Sequence, residues 1–464
     1  MQDSVQIRPS SENNKTIVLL VCSLSNLITT FMMSGVNVAL PAISREFQVN
    51  AILLGWVVTS FVLSVAVFSV PFGRIADIVG IKKIFAFGLA VFTIVSIITV
   101  FSTSIYILVA LRAIQGISSA MINSTSVAML TAVYPARQRG RALGISIAAV
   151  YAGLSIGPFV GGLLTEAFGW RSIFLITGVV ELGLFLLLFW KVKGEWCECK
   201  GEKFDFAGSA IYGASLVAVM YGFSRLPEIP GAIITVAGIV GIMAFYRFES
   251  RNSSPILNVG LFRKNRAFVF SNLAALFNYS STAAITFFLS LYLQYNKGFS
   301  PKQAGLVLLA QPVIQTIVAP YSGRLSDKIE PRKVASIGMA LTCLGLLFFG
   351  FLAADTPIWQ IIFALIVLGG GFGLFTSPNT NAIMSSVAPR FYATAASLTG
   401  TMRTVGQTLS MGIAMIIMAI IIGRVIVTPE RYPAFLESAN IAFFIFGALC
   451  FAGIFASLAR GDKD

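Results

Sequence analysis

Long apolar runs, rather than any strict alternation, set the pattern of this chain. Fourteen of them fall at roughly 16–38, 52–73, 83–103, 105–132, 142–165, 172–192, 206–224, 229–246, 267–294, 303–324, 333–353, 358–379, 394–423 and 438–458. Each holds about 20 residues, enough for a helix to cross the ~30 Å hydrocarbon core of a bilayer. A segment that spans lipid must satisfy its own backbone hydrogen bonds, so each run reads as a helix. The pattern therefore predicts an all-α polytopic membrane protein with 14 transmembrane helices. Residues 1–15 are polar and the first run is too long for a signal h-region, so no cleavable leader is expected.

The breaks between runs carry a repeat. "GRIADIVGIKK" spans 73–83 and "GRLSDKIEPRK" spans 323–333, with Gly73/Gly323, Arg74/Arg324, Asp77/Asp327 and Lys83/Lys333 all 250 residues apart. Both copies fall between the second and third runs of a six-run block. Two related six-helix halves follow, an architecture that places a transporter's site at the repeat interface. The expected division is a cytoplasmic tail (1–15), a six-helix bundle (16–192), a cytoplasmic linker (193–205), two extra helices (206–246), a second linker (247–266), a second six-helix bundle (267–458) and a cytoplasmic tail (459–464).

Composition agrees with this reading and charge adds orientation. Hydrophobic residues make up 56% of the 464 and charged residues 11%, against roughly 25% charged in soluble domains. A net charge of +14 would suggest nucleic acid in a soluble protein, but here position decides. With the N-terminus inside, 24 Lys/Arg fall on the cytoplasmic side and seven outside, while Arg112 and Arg403 lie within spans. That is the positive-inside rule, with some anionic-lipid contact implied and no nucleic-acid partner. The five cysteines form no disulfide framework, and the "WCEC" pair (Cys197, Cys199) sits in a cytoplasmic loop. With no histidine in the chain, neither a metal site nor a cofactor is expected.

Candidate chemistry sits where polar residues interrupt the runs. In the repeated loop, Gly73, Arg74, Asp77, Gly80, Lys82 and Lys83, with Asp327 in the second copy, form a turn whose carboxylate can bond a helix end or a basic neighbour. Arg137, Arg139 and Arg141 lie on the same membrane face and are expected partners of Asp77, as a latch that holds one conformer. The alternative is a topology signal with ordinary loop capping. Gly153, Gly157 and Gly161 recur at every fourth residue, with Pro158 and Gly162 between and after them. The stripe offers a close helix approach and the proline a kink, read as a gate against ordinary packing.

Glu181, in "TGVVELGLFLLLFW" (177–190), is the deepest acid in any run, about 15 Å from the start of its span at 1.5 Å per residue. Ionising it there would cost on the order of 3 kcal/mol. Two roles compete: a group that loads and releases a proton as water access alternates, or a structural carboxyl bonded to a neighbour, with Arg112 the expected partner. Arg112, Gln115, Ser119, Asn123 and Ser126 share one helical face, as do Thr399, Arg403, Gln407 and Ser410. Polar stripes in membrane helices face protein or water. Asn37, Asn272, Asn278, Gln311 and Gln315 are further cavity candidates, and Phe31, Met32, Met33 and Trp56 candidate apolar walls.

These motifs resemble the major facilitator superfamily. The loops at 73–83 and 323–333 look like its signature, "RAIQG" (112–116) its fourth-span motif, and "GLSIGPFVGG" (153–162) the fifth-span motif of its antiporters. "NVALP" (37–41), "FDFAG" (204–208) and "LYLQ" (291–294) resemble the fourteen-span drug–proton antiporter branch. The resemblance implies a secondary active exporter of amphiphilic small molecules, driven by protons and expected to work as a monomer. One departure is Met32, which stands where that branch usually has a first-span acid. Two alternatives remain: a transporter of a defined organic anion or metabolite, and an integral-membrane lipid enzyme or sensor. No phosphate-binding loop of the Walker type supports direct ATP drive.

Overall fold

The computed structural model describes residues 12–197, 204–251, 265–387, 392–423 and 425–460. The first six crossings are α1 (Glu12–Phe47), α2 (Ala51–Val79), α3 (Ile81–Val100), α4 (Ile105–Val133), α5 (Ala136–Phe168) and α6 (Arg171–Lys191). A hairpin follows, α7 (Phe206–Arg225) and α8 (Ile229–Glu249). In the second half, α9 (Arg266–Thr282) with α10 (Ile285–Tyr295), and α11 (Pro301–Leu308) with α12 (Ala310–Lys328), each make one interrupted crossing. The rest are α13 (Pro331–Phe349), α14 (Ile358–Ser385), α15 (Tyr392–Ile421) and α16 (Tyr432–Leu458). All 14 predicted spans have a helix long and apolar enough to cross a membrane. An even number of crossings puts both described ends on one face, the termini side; the opposite face is the far side.

The apolar runs supply the helices and short polar residues begin them. The side chains of Asn50, Asp205 and Asn265 each accept from a first-turn N–H, at Leu53, Gly208 and Phe268, all at 2.9 Å. The first helix outruns its apolar block, reaching Phe47 rather than residue 38. Its last turn is held by Glu46, which accepts from Trp170 Nε1 at 2.7 Å and pairs with Arg171 at 2.6 Å. Hydropathy marks only the lipid-facing length, so this overhang is invisible to it.

The halves repeat in packing as well as in sequence. In the first, α1 lies on α5, α2 on α4, and α3 against α4 and α6; in the second, α9 lies on α15, α12 on α14, and α13 against α14 and α16. The third helix of each half crosses the fourth at a glycine 250 residues from its counterpart. A Cβ on Gly88 would stand 3.1 Å from Ser118 O, and one on Gly338 2.6 Å from Gly371 O. Such contacts bring the backbones together as small-residue seams do in membrane bundles. The extra hairpin docks outside the two bundles: α7 packs on α2 and α15, with Tyr212 Oη donating to Ala66 O at 3.0 Å, and α8 packs on α7.

Candidate functional site

Between the halves lies a cavity of 190 Å³ bordered by helices from both. Its apolar wall includes Met33, Phe61, Val62, Leu308 and Phe372; its polar wall includes Thr29, Thr30, Asn37, Asn123, Gln311, Gln315 and Gln407. Arg403 contributes the one charge among its lining residues, and no carboxylate lines it. Two tyrosines missed from the sequence, Tyr151 and Tyr279, also line it and lie within electrostatic reach of Arg403. Tyr279 meets the Phe372 ring edge-on at 5.6 Å. A signal for both existed: membrane tyrosines gather at the interfaces, yet these stand near the middle of their spans. Where α9 gives way to α10, Ala284 N–H turns aside to Ser410 Oγ at 3.0 Å, and Thr282, Ala283 and Thr286 line the cavity.

The structure gathers some sequence candidates here and sends others elsewhere. Asn37, Asn123, Gln311, Gln315, Arg403, Gln407 and Pro158 border the cavity. Gln115, Asn272 and Asn278 do not: all three are buried in helix packing, with Asn272 Nδ2 bonded to Phe268 O at 2.9 Å. Of the expected apolar walls only Met33 lines it; Phe31 and Met32 are buried in the core, and Trp56 packs at the edge of a separate apolar cluster. Periodicity identifies the polar face of a helix but not which neighbour that face meets.

The expected pair between Arg112 and Glu181 is not formed. Arg112 Nε donates to Val57 O and Nη1 to Gln115 Oε1, both at 3.0 Å, and its guanidinium lies 4.3 Å from the Phe61 ring centre. Gln115 passes the contact on to Ser96 Oγ at 3.1 Å. Ser96 stands beside Gly178, one turn before Glu181. Arg112 thus spends its donors on a backbone carbonyl and an amide rather than on a carboxylate. Glu181 is fully buried where α6 meets α1: Ser25 Oγ donates to Oε2 at 3.2 Å, and Oε1 has no hydrogen-bond partner. Ser25 lies one turn from Thr29, which lines the cavity, so a single turn of α1 separates Glu181's partner from the cavity wall.

The glycine stripe of α5 does not face the other half. Gly153, Gly157 and Gly161 pack on α1, against Leu27 O, Ser34 Oγ and Gly35 Cα. The neighbouring face makes the crossing between halves: a Cβ on Gly162 would collide with Pro301 O, and one on Gly305 with Pro158 O. Further bonds join the halves on this side, Ser290 Oγ to Asn37 O at 2.9 Å and Gln294 Nε2 to Val38 O at 3.0 Å. These contacts join the two halves on the far side of the cavity.

The repeated loop lies on the termini side. Gly80 has φ +131°, a region glycine alone adopts freely. Residues 192–197 run beneath the turn: Ile81 N donates to Trp196 O and Lys82 N to Glu195 Oε1, both at 2.8 Å, and Lys82 Nζ to Val192 O at 2.5 Å. Cys197 Sγ lies 3.0 Å from Ile78 O. Lys82 is therefore held by this strap, a contact the sequence did not suggest. Gly73 stands against α4 near Ser124 and its counterpart Gly323 against α14 near Ser377. Arg74 and Asp77 are half-buried, Lys83 is exposed, and Arg141 is exposed. The side chains of Arg137, Arg139 and Asp327, and all of Cys199, lie outside the described residues.

Comparison with known families matches the Major Facilitator Superfamily over residues 22–196 and 272–463. The chain belongs to the Major Facilitator Superfamily. The two matched stretches are the six-helix halves, and the gap between them holds the α7–α8 hairpin. This facilitator-superfamily chain is 27% identical to the riboflavin transporter RibZ of Clostridioides difficile (strain 630), over 97% of this chain and 99% of that protein. It is 30% identical to the multidrug resistance protein Stp of Mycobacterium tuberculosis (strain CDC 1551 / Oshkosh), over 82% of this chain and 71% of that protein. It is 29% identical to the methylenomycin A resistance protein of Bacillus subtilis (strain 168), over 90% of each. Its fold matches the crystal structure of a bacterial homolog to the human lysosomal transporter Spinster, with a TM-score of 0.73 at 15% identity, over 97% of this chain and 98% of that one. The protein is a multi-pass membrane transporter of this superfamily rather than an enzyme.

Proposed function

We propose that this transporter exports amphiphilic small molecules by proton antiport, alternating access between the termini side and the far side. The observation that carries the reading is the cavity between the halves: aromatic and aliphatic walls with a few amides and hydroxyls. Such a lining suits bulky, partly apolar substrates held by few polar anchors. The relatives named for multidrug and methylenomycin resistance support the same direction and class. The excess of Lys/Arg on the termini side makes that side cytoplasmic.

Glu181 is the coupling carboxyl in this reading. A buried ionised acid costs several kcal/mol unless cations or donors hold it, and among the described residues Glu181 has a single hydroxyl donor. It carries its proton while sealed and loses it when water reaches α1 from one side. One charge crossing 100 mV is worth about 2.3 kcal/mol and a tenfold gradient about 1.4 kcal/mol. One proton per neutral substrate thus sustains a gradient of roughly fifty-fold.

Arg403 favours a second reading, transport of a defined organic anion, because it is the only charge among the cavity's lining residues. Substrate-dependent proton movement in proteoliposomes tests the first. Competition by organic anions but not by lipophilic cations would transfer the assignment to the second.

A further inference from the structure

The fifth helix carries another stripe, one that neither the cavity nor the coupling carboxyl uses. Pro158, Gly162 and Glu166 recur every four residues, so they share one face. That face meets the second half: Pro158 at Gly305, Gly162 at Pro301, and Glu166 at the first turn of α11. The first two contacts are backbone against backbone and neutral. The third is charged and directional. Glu166 Oε2 accepts from Lys302 N at 3.2 Å, with the Ser300 side chain beside the same carboxylate.

The receiving end is built as a helix start. Ser300 caps α11, accepting from Gln303 N at 3.3 Å, while Gln303 Oε1 accepts from Ser300 N at 3.0 Å. First-turn N–H groups lack intrahelical partners and carry the positive end of the helix dipole, so a carboxylate is favoured there. Lys302 is the charged side chain whose charge reaches Glu166; Arg171, at the start of α6, is engaged by Glu46. Glu166 does not line the cavity.

We propose that Glu166 is the clasp of the far gate, a positioning residue that biases the transporter toward its far-closed state. The inference rests on the alternating-access reading above. Contacts within one half, such as Gly157 on Ser34, persist through a rocking motion of the halves. Contacts between halves must break each time the far side opens. Of the contacts α5 makes with α11 among the described residues, the Glu166 contact alone involves a charge, so its loss shifts the balance of states without unpacking either bundle.

The test uses the full chain in proteoliposomes with Met33→Cys as a reporter on the cavity wall. A membrane-impermeant maleimide is applied from one face at a time and counted against protein without the introduced cysteine. Glu166→Ala should raise far-side labelling roughly two- to fivefold, the size of a carboxylate's effect at a helix N-terminus, and lower termini-side labelling. Glu166→Asp should restore much of the parent ratio. Should Glu166→Ala fail to fold, Glu166→Gln gives the same reading with the shape retained. A merely structural role would change labelling from both faces alike, and that result, or an unchanged ratio, overturns the clasp. A parent labelled equally from both faces would instead remove the alternating-access reading, and the clasp with it.

Discussion

Ser25 donates its hydroxyl to Glu181 Oε2 at 3.2 Å, tying the first helix to the sixth at a point where neither is exposed. Glu181→Gln keeps the shape and removes the proton. It is expected to abolish uphill, pH-driven export while sparing substrate binding and downhill exchange. Export against a gradient by this variant, measured in proteoliposomes under a proton-motive force, would make Glu181 structural. Ser25→Ala should shift the pH dependence of transport, because it removes the one donor to the carboxyl among the described residues, and should leave the apparent affinity for substrate near that of the parent.

Arg112 is expected to hold structure rather than substrate. It is 1% exposed, and it joins α4 to α2 through Val57 O and the Phe61 ring. Removing it leaves the buried Gln115 Oε1 without its donor, at about 1–3 kcal/mol, so Arg112→Ala should lower the melting temperature in detergent by several degrees. Arg112→Lys loses the fork geometry and should recover only part of it. Full thermal stability in Arg112→Ala would contradict the assignment.

Two glycines on different faces of α5 separate packing from gating. A methyl group at Gly157 would collide with Ser34 inside one half, and at Gly162 with Pro301 across the halves. Gly157→Ala should destabilise the protein by about 1–3 kcal/mol, the usual cost of overpacking. Gly162→Ala should fold with near-parent stability and turn over slowly, because the far gate can no longer seat. Equal melting temperatures and equal turnover for the two variants would erase the distinction.

Asp77→Asn is expected to impair transport more than membrane insertion, as a switch residue in the last turn of α2 would. Normal turnover at normal expression counts against a latch.

A cysteine placed at Thr428, on the far side beside Glu430 and Arg431, should react with an impermeant reagent from outside intact cells. Labelling only after the membrane is opened would reverse the orientation drawn from charge.

The chain alone determined the fourteen crossings, the two related halves and the family, because these depend on local quantities. Helix length follows hydrocarbon thickness, and the 250-residue offset follows from matching loops. It also indicated which faces are polar, and so gave Asn37, Asn123, Gln311, Gln315, Arg403 and Gln407 as cavity residues. Tertiary structure alone decided what each face meets. Arg112 and Glu181 have comparable depth, but depth is one coordinate, and the rotation of each helix about its axis turns Arg112 to Val57 and Gln115 and Glu181 to Ser25. Likewise Gly157 and Gly162 are five residues apart, about 140° around a helix of 3.6 residues per turn. One therefore seals a half internally and the other seals the two halves together.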